Sequence, residues 1–269
     1  MPLPRASPRH YVRMGSTTRH GTRSRLGGRP VTLAPVSARS HPARQLPLAL
    51  DTDPGPLPPR AVLPGVVHIE SWLDLDAQNQ LADNFRRWAI PPAGLRHPRM
   101  PTGHLMSVQS VCLGWHWYPY VYSRTADDTD GAPVKPLPES LITLARAAVA
   151  DTYGADSAEA IAYRPDAAIV NLYPDEAKLG LHQDGEEPSD APVVTIGLGD
   201  RCTFRLAGVD RRVGPFTDVD MGSGDLLVFG RENRRIFHGV PKVLPDTTPE
   251  GLRLPRGRVS ITVRETGFS

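Results

Sequence analysis

Apolar positions recur at helical spacing in two stretches of the first 160 residues, and at strand spacing after that. Trp72, Leu75, Leu81, Phe85 and Trp88 supply one apolar side, so a helix is expected from a cap at Ser71 to about Ala89, with Pro91-Pro92 ending it. Leu141, Leu144, Ala145, Ala148 and Val149 mark a second helix, from about Pro138 to Tyr153. From Ala167 onward, short β-rich runs are separated by Gly, Pro and Asp turns: Ala167–Tyr173, Val193–Leu198, Thr203–Leu206, Asp225–Phe229, Arg235–His238 and Val259–Val263. Early helices followed by many short strands predict an α+β chain, mainly β, with two sheets face to face and the helices outside.

Composition divides the chain unevenly. The first fifty residues hold nine Arg and no Lys, Asp or Glu, among frequent Pro, Ser and Gly. Such a stretch cannot bury a core, so residues 1–58 are expected to be a disordered basic arm and residues 59–269 a single domain. Nine of the 31 Lys and Arg lie in the arm, so 22 face 29 acidic residues in the rest, a balance of −7. The basicity therefore belongs to the arm. It could attract phosphates non-specifically, reflect an over-extended gene start with Met14 as a later initiator, or be an Arg- and Ser-rich transit peptide. No apolar run has spanning length and no signal-peptide core is present, so a soluble, cytoplasmic monomer with no membrane association is expected. Cys112 and Cys202 suggest neither a metal cluster nor a disulfide framework, which fits a reducing compartment.

The chemistry is concentrated in the last hundred residues. In a strand His182 and Asp184 project to the same side, and His238 supplies a third ligand from a distant strand. Two imidazoles and a carboxylate are the minimal set that holds a non-haem Fe(II) with three positions open. The same set would suit a zinc hydrolase, and nine His in the chain make a chance pattern easy. Arg258 and Arg264 leave the alternating strand Arg258-Val-Ser-Ile-Thr-Val-Arg264 on one face. This is either an ordinary polar strand face or a pair of forks for a dicarboxylate, for which 2-oxoglutarate is the expected partner of an iron site. Asn171 and Tyr173 share a face as well, and could bind the acid's oxygens or be a strand-end amide and a core ring.

Five segments, Asn171–Glu187 (NLYPDEAKLGLHQDGEE), Ala191–Gly199 (APVVTIGLG), Gly224–Gly230 (GDLLVFG), Arg234–Gly239 (RRIFHG) and Arg258–Arg264 (RVSITVR), resemble in order and spacing the AlkB-type Fe(II)/2-oxoglutarate dioxygenases. Leu113-Gly-Trp115 and Tyr120-Val-Tyr122-Ser123 look like that family's nucleotide-recognition lid, and Ala61–Val67 like its opening strand. The resemblance spans about Ala61 to Gly267. It implies a double-stranded β-helix (jelly roll), with Fe(II) on His182, Asp184 and His238. It implies 2-oxoglutarate held by Asn171, Tyr173, Arg258 and Arg264, with Arg258 on the far carboxylate and Arg264 on the end near the metal. With O2, such an enzyme demethylates N-alkylated bases of the 1-methyladenine and 3-methylcytosine type in DNA repair, releasing succinate, carbon dioxide and formaldehyde. The cofactors then carry the difficult chemistry and no protein nucleophile is required.

Substrate residues follow from the same resemblance. Trp115 is expected to stack on a flipped, cationic base, with Tyr120 in the lid and Glu186 supplying negative charge; as isolated residues, the aromatics would more readily be core. Two departures stand out: Glu186 occupies a position where the family often carries Asp, and Ser260 one where some relatives carry Asn. RNA or a protein could be the acceptor instead of alkylated DNA, because the metal and co-substrate motifs do not encode it. An inactive barrel kept as a binding module is disfavoured by the presence of all three ligands and both arginines.

Overall fold

The computed structural model describes residues 55–174, 176–254 and 256–268. Residues 1–54, which make up nearly all of the expected arm, lie outside the described residues, whereas Leu57 already donates to the Glu70 carbonyl at 3.0 Å. The elements in chain order are β1 (Arg60–Leu63), β2 (Val66–Ile69), α1 (Leu75–Ala89), β3 (Gln109–Leu113), β4 (His116–Tyr118), β5 (Val121–Ser123), α2 (Glu139–Tyr153) and α3 (Ala158–Ala162). There follow β6 (Ala167–Tyr173), β7 (Leu179–His182), β8 (Val193–Gly199), β9 (Arg201–Leu206), β10 (Thr217–Met221), β11 (Leu226–Phe229), β12 (His238–Leu244) and β13 (Arg258–Arg264). Among the described residues, no helix is long and apolar enough to cross a membrane.

Both expected helices form. The first starts later than Ser71: that residue sits at φ 51°, and its N–H donates to Asp225 at 2.9 Å. Asp74 caps α1 instead, its carboxylate accepting from the Ala77 N–H at 2.8 Å. The two helices lay their apolar stripes, including Phe85, Trp88, Leu141 and Val149, on one face of a seven-stranded sheet ordered β1-β2-β11-β8-β13-β6-β3. The other face of that sheet meets a four-stranded sheet, β10-β9-β12-β7, across a second core containing Tyr173, Phe204, Leu206, Met221 and Phe229. All pairings within both sheets are antiparallel. Central strand β8 is covered on both sides and buries all seven residues, which is why it reads as a continuous apolar run rather than an alternation. Two antiparallel sheets face to face with outer helices make the mixed α+β jelly roll expected from the pattern.

Three strand expectations also differ. The strand expected at Arg235–His238 begins at His238, because a 3₁₀ turn at Arg231–Asn233 and the residues after it carry the chain up to that point. Its continuation was masked by Pro241, a residue that argues against a central strand. The ladder with β9 shifts register between Gly239 and Lys242, so this stretch does not need the missing donor. The strand bearing His182 ends at that residue, which leaves Asp184 in a loop. Finally, Ala61–Val67 is not one strand but the turn of the β1–β2 hairpin, bent at Gly65 (φ 67°), where any Cβ would lie 2.4 Å from the Gly230 carbonyl oxygen.

Candidate metal centre

Pairing of β7 with β12 sets His182 directly opposite His238, with ring centroids 4.4 Å apart. Each imidazole donates its Nδ1–H to the carbonyl two residues earlier, His182 to Gly180 and His238 to Ile236, both at 3.0 Å. A carbonyl can only accept, so both rings carry a proton on Nδ1, which leaves Nε2 as the nitrogen that faces the centre. Asp184 completes the group: Oδ1 lies 3.8 Å from His182 Nε2 and Oδ2 lies 3.8 Å from His238 Nε2. These separations are too long for hydrogen bonds, yet all three ligand atoms fall within 4.8 Å of one another, as sharing one ion requires.

Electrostatics prepare the set for a cation. Burial, reinforced by His182, pushes His238 down to about 4, so its ring is neutral near pH 7. Burial opposes a charge on Asp184, but Arg264 and the two histidines outweigh it and hold the carboxyl well below its ordinary range. Phe204 stacks on His238 at 5.7 Å with an 8° interplanar angle, and Phe229 approaches at 4.8 Å, shielding that ligand from water.

The loop carrying Asp184 is held by two arginines. Arg234 donates to the carbonyls of Ala191 at 2.6 Å and Asp184 at 3.1 Å; Arg235 donates to those of Asp184 and Glu187, both at 2.9 Å. Arg264 reaches the same loop from β13. Its Nη2 lies 2.9 Å from Asp184 Oδ2 as an ion pair, without the alignment of a hydrogen bond. Its Nη1 donates to Glu187, which also accepts from the Tyr122 hydroxyl. Burial opposes ionisation of Glu187, and Arg264 overcomes it, lowering its pKa. Glu187 and Arg234 thus reach the centre although sequence spacing pointed to neither, and Tyr122, expected only as part of the lid, joins them.

A cavity of about 690 Å³ opens over the centre, within the range of small-molecule sites. Of the residues expected at the site, His182, Asp184, His238, Asn171, Tyr173, Arg264, Tyr120 and Glu186 line it. Asn171 Oδ1 accepts from Ser110 Oγ at 2.6 Å, which turns its NH2 outward as a donor. Burial raises the pKa of Glu186. Two expected residues do not line the cavity. Arg258 is fully buried beneath its floor, donating to the carbonyls of Asp200 at 2.8 Å and Met221 at 3.1 Å, beside its cross-strand partner Tyr173. Gly197 makes room for it, since a Cβ there would lie 2.4 Å from Arg258 Nη2. Trp115 donates to Asp166 at 3.0 Å, with Arg124 3.5 Å above its ring and Phe268 at 5.2 Å, while Trp117 faces the cavity.

A jelly roll with two imidazoles and one carboxylate converging at the mouth defines a mononuclear metal-dependent protein of the facial-triad class. The family model of the 2OG-Fe(II) oxygenase superfamily matches residues 65–264. Similar proteins include an Arabidopsis thaliana protein named DNA N(6)-methyladenine demethylase ALKBH1D, 34% identical over 222 residues that cover 76% of this chain and 50% of that one. A Caulobacter vibrioides alpha-ketoglutarate-dependent dioxygenase AlkB homolog is 33% identical, covering 77% of this chain and 90% of its own. The solved structure titled "The structure of OsALKBH1" superposes with a TM-score of 0.67 at 32% identity, covering 77% of this chain and all of that one. The chain spans about half the length of the Arabidopsis relative. This protein belongs to the AlkB-type Fe(II)/2-oxoglutarate-dependent dioxygenase family within that superfamily.

Proposed function

We propose that this protein is an Fe(II)- and 2-oxoglutarate-dependent dioxygenase that demethylates N-alkylated bases in nucleic acid, with single-stranded DNA as the first substrate class. The observation that carries the reading is the convergence of His182, Asp184 and His238 at a cavity whose wall also holds Arg264, Asn171 and Tyr173. The residues fit the cofactors. Asp184 Oδ2 is buried without a hydrogen-bond donor, as a waiting metal ligand would be. Arg264 Nε, in the cavity wall, is buried without an acceptor, which suits a co-substrate bearing a carboxylate. Bound Fe(II), 2-oxoglutarate and O2 would supply the oxidation of the N-methyl group, with succinate, carbon dioxide and formaldehyde as products.

The chain's own residues bind and orient. His182, Asp184 and His238 hold the metal, and Arg264 keeps the carboxylate of Asp184 ionised and aimed at it. Asn171 and Tyr173 offer an amide N–H and a phenol to the co-substrate, with Arg264 for one carboxylate and, for the other, the positive charge of Arg258 buried behind Tyr173. Tyr120 and Glu186 line the outer cavity and belong to base binding, together with the lid on which Trp115 sits. The protein acts as a monomer, with residues 59–269 as the catalytic domain and the basic residues 1–58 as an appended arm.

The test is a balance of products. Protein loaded anaerobically with Fe(II) is mixed with 2-oxoglutarate, O2 and a single-stranded DNA oligonucleotide carrying 1-methyladenine, 3-methylcytosine or N6-methyladenine. Loss of one methyl mass with an equal amount of succinate is the expected result. Succinate without any change in the DNA, but with loss from a methylated RNA strand, would move the substrate to RNA. No succinate under any condition would remove the dioxygenase reading.

A further inference from the structure

We propose that Tyr122 is the positioning residue for Arg264: its hydroxyl reaches across from the lid and keeps the guanidinium turned so that one edge stays open to a carboxylate in the cavity, while Phe268 wedges its ring in place. The proposal rests on the reading that Arg264 receives the co-substrate. Arg264 offers three nitrogens, and its two terminal ones are engaged. Nη2 lies 2.9 Å from Asp184 Oδ2, and Nη1 donates to Glu187 Oε1 and, at 3.2 Å, to the Tyr122 hydroxyl oxygen. Nε is buried without an acceptor, and the residue lines the cavity. The fork is planar and rigid, so fixing both terminal nitrogens fixes where Nε points.

Tyr122 acts from β5 through both ends of its side chain. Burial keeps its phenol protonated. The hydroxyl therefore donates to Glu187 Oε1, the same oxygen that accepts from Arg264. It takes up part of a charge that would otherwise fall on Arg264 alone. Without it, Glu187 competes harder with an incoming carboxylate for the same guanidinium, and Nη1 loses an anchor on the lid side. Behind the ring, Phe268 packs at 5.4 Å on Tyr122 and at 5.2 Å on Trp115. Asp166 holds it there, accepting from Trp115 Nε1 at 3.0 Å and from the Thr266 hydroxyl at 2.6 Å. The Thr266 oxygen in turn accepts from the Phe268 N–H at 3.2 Å. Phe268 follows Arg264 by four residues, so ring and hydroxyl of Tyr122 are both gripped from the end of β13.

The experiment is an anaerobic calorimetric titration of 2-oxoglutarate into the Fe(II)-loaded full chain. Tyr122→Phe keeps the ring and removes only the hydroxyl. It should weaken 2-oxoglutarate binding about tenfold, the size of one hydrogen bond to a charged group, and leave Fe(II) affinity unchanged. Phe268→Ala should weaken it in the same direction, and Phe268→Leu, which refills the space, should recover most of the loss. Tyr153→Phe removes a hydroxyl outside the site, one that donates to the Gly65 carbonyl at 2.7 Å. It should lower the thermal midpoint without moving the 2-oxoglutarate affinity. Unchanged 2-oxoglutarate affinity in Tyr122→Phe, an equal loss of Fe(II) affinity, or an equal loss in Tyr153→Phe would each overturn the proposal and leave the enzyme reading intact. Unchanged affinity in Phe268→Ala would overturn the wedge. A wild-type protein that binds no 2-oxoglutarate would remove the proposal together with the reading on which it rests.

Discussion

At Asp184 one buried carboxylate is shared by several cations. Arg264 lies at 2.9 Å, and the loaded site would add a metal on the side of His182 and His238. What keeps Arg264 from claiming Asp184 outright is Glu187, which accepts from its other terminal nitrogen. Replacing Glu187 by Gln keeps the shape and removes the competing charge, so Arg264 pairs more strongly with Asp184 and less of that carboxylate is left for the metal. Outer partners of metal ligands typically matter by about 10–100-fold. We expect Glu187→Gln to weaken Fe(II) binding by that order in an anaerobic titration; unchanged affinity would show that Glu187 serves only the loop. The three ligands were legible in the sequence because their residue types and order carry the chemistry. Glu187 was not, because two adjacent glutamates in a loop have no period to tell which turns inward. Alternation suggested Glu186, which lines the cavity, whereas Glu187 is the one that reaches Arg264.

Among elements, the β7–β12 pair and the β4–β5 lid do most to set the site. Gly239 lies beside Leu179 and Gly180: a Cβ there would sit 2.7 Å from the Leu179 carbonyl oxygen and 2.9 Å from the Gly180 carbonyl carbon. Both are backbone atoms, so an added methyl must part the strands that bring His182 and His238 together. Gly239→Ala should cost about 1–3 kcal/mol in denaturant unfolding and weaken metal binding in parallel; loss of stability with metal affinity intact would mean the histidines ride independently of this contact. The lid depends on charge. Burial opposes protonation of His116, yet Asp128 and Cys112 outweigh it and raise its pKa to about 9, with Arg96 working against them. A histidine raised from 6.5 contributes its stability fully below about pH 6.5 and loses it as pH rises through 9. The thermal-midpoint difference between wild type and His116→Gln should therefore be largest near pH 6 and shrink towards pH 9.5; a constant difference would contradict the pairing. The helices and the central strands of this fold were readable from periodicity. The lid was not: Trp115 and Trp117 share one alternation phase, yet Trp115 follows the Gly114 turn (φ 78°) ahead of β4 and Trp117 lies within β4.

For the whole molecule the decisive asymmetry is charge. Nine Arg without a single acid occupy the first fifty residues, while the remainder carries a formal −7. A domain of that sign gains little long-range attraction for a phosphate backbone, although Lys178 and Arg212 stand at the cavity rim. If the arm meets phosphates, each such arginine should steepen the dependence of log Kd on log salt by about 0.7 for a single strand. Among the described residues the buried core runs from Val66 to Val263 and the cavity lining from Met100 to Arg264, so a protein shortened by residues 1–54 keeps these. We expect the shortened protein to keep its preference for a methylated base and to lose salt dependence, measured on an unmodified oligonucleotide across a range of salt concentrations. An identical slope in both proteins would mean that none of the nine arginines touches the strand. Binding would then rest on the cavity and its rim alone.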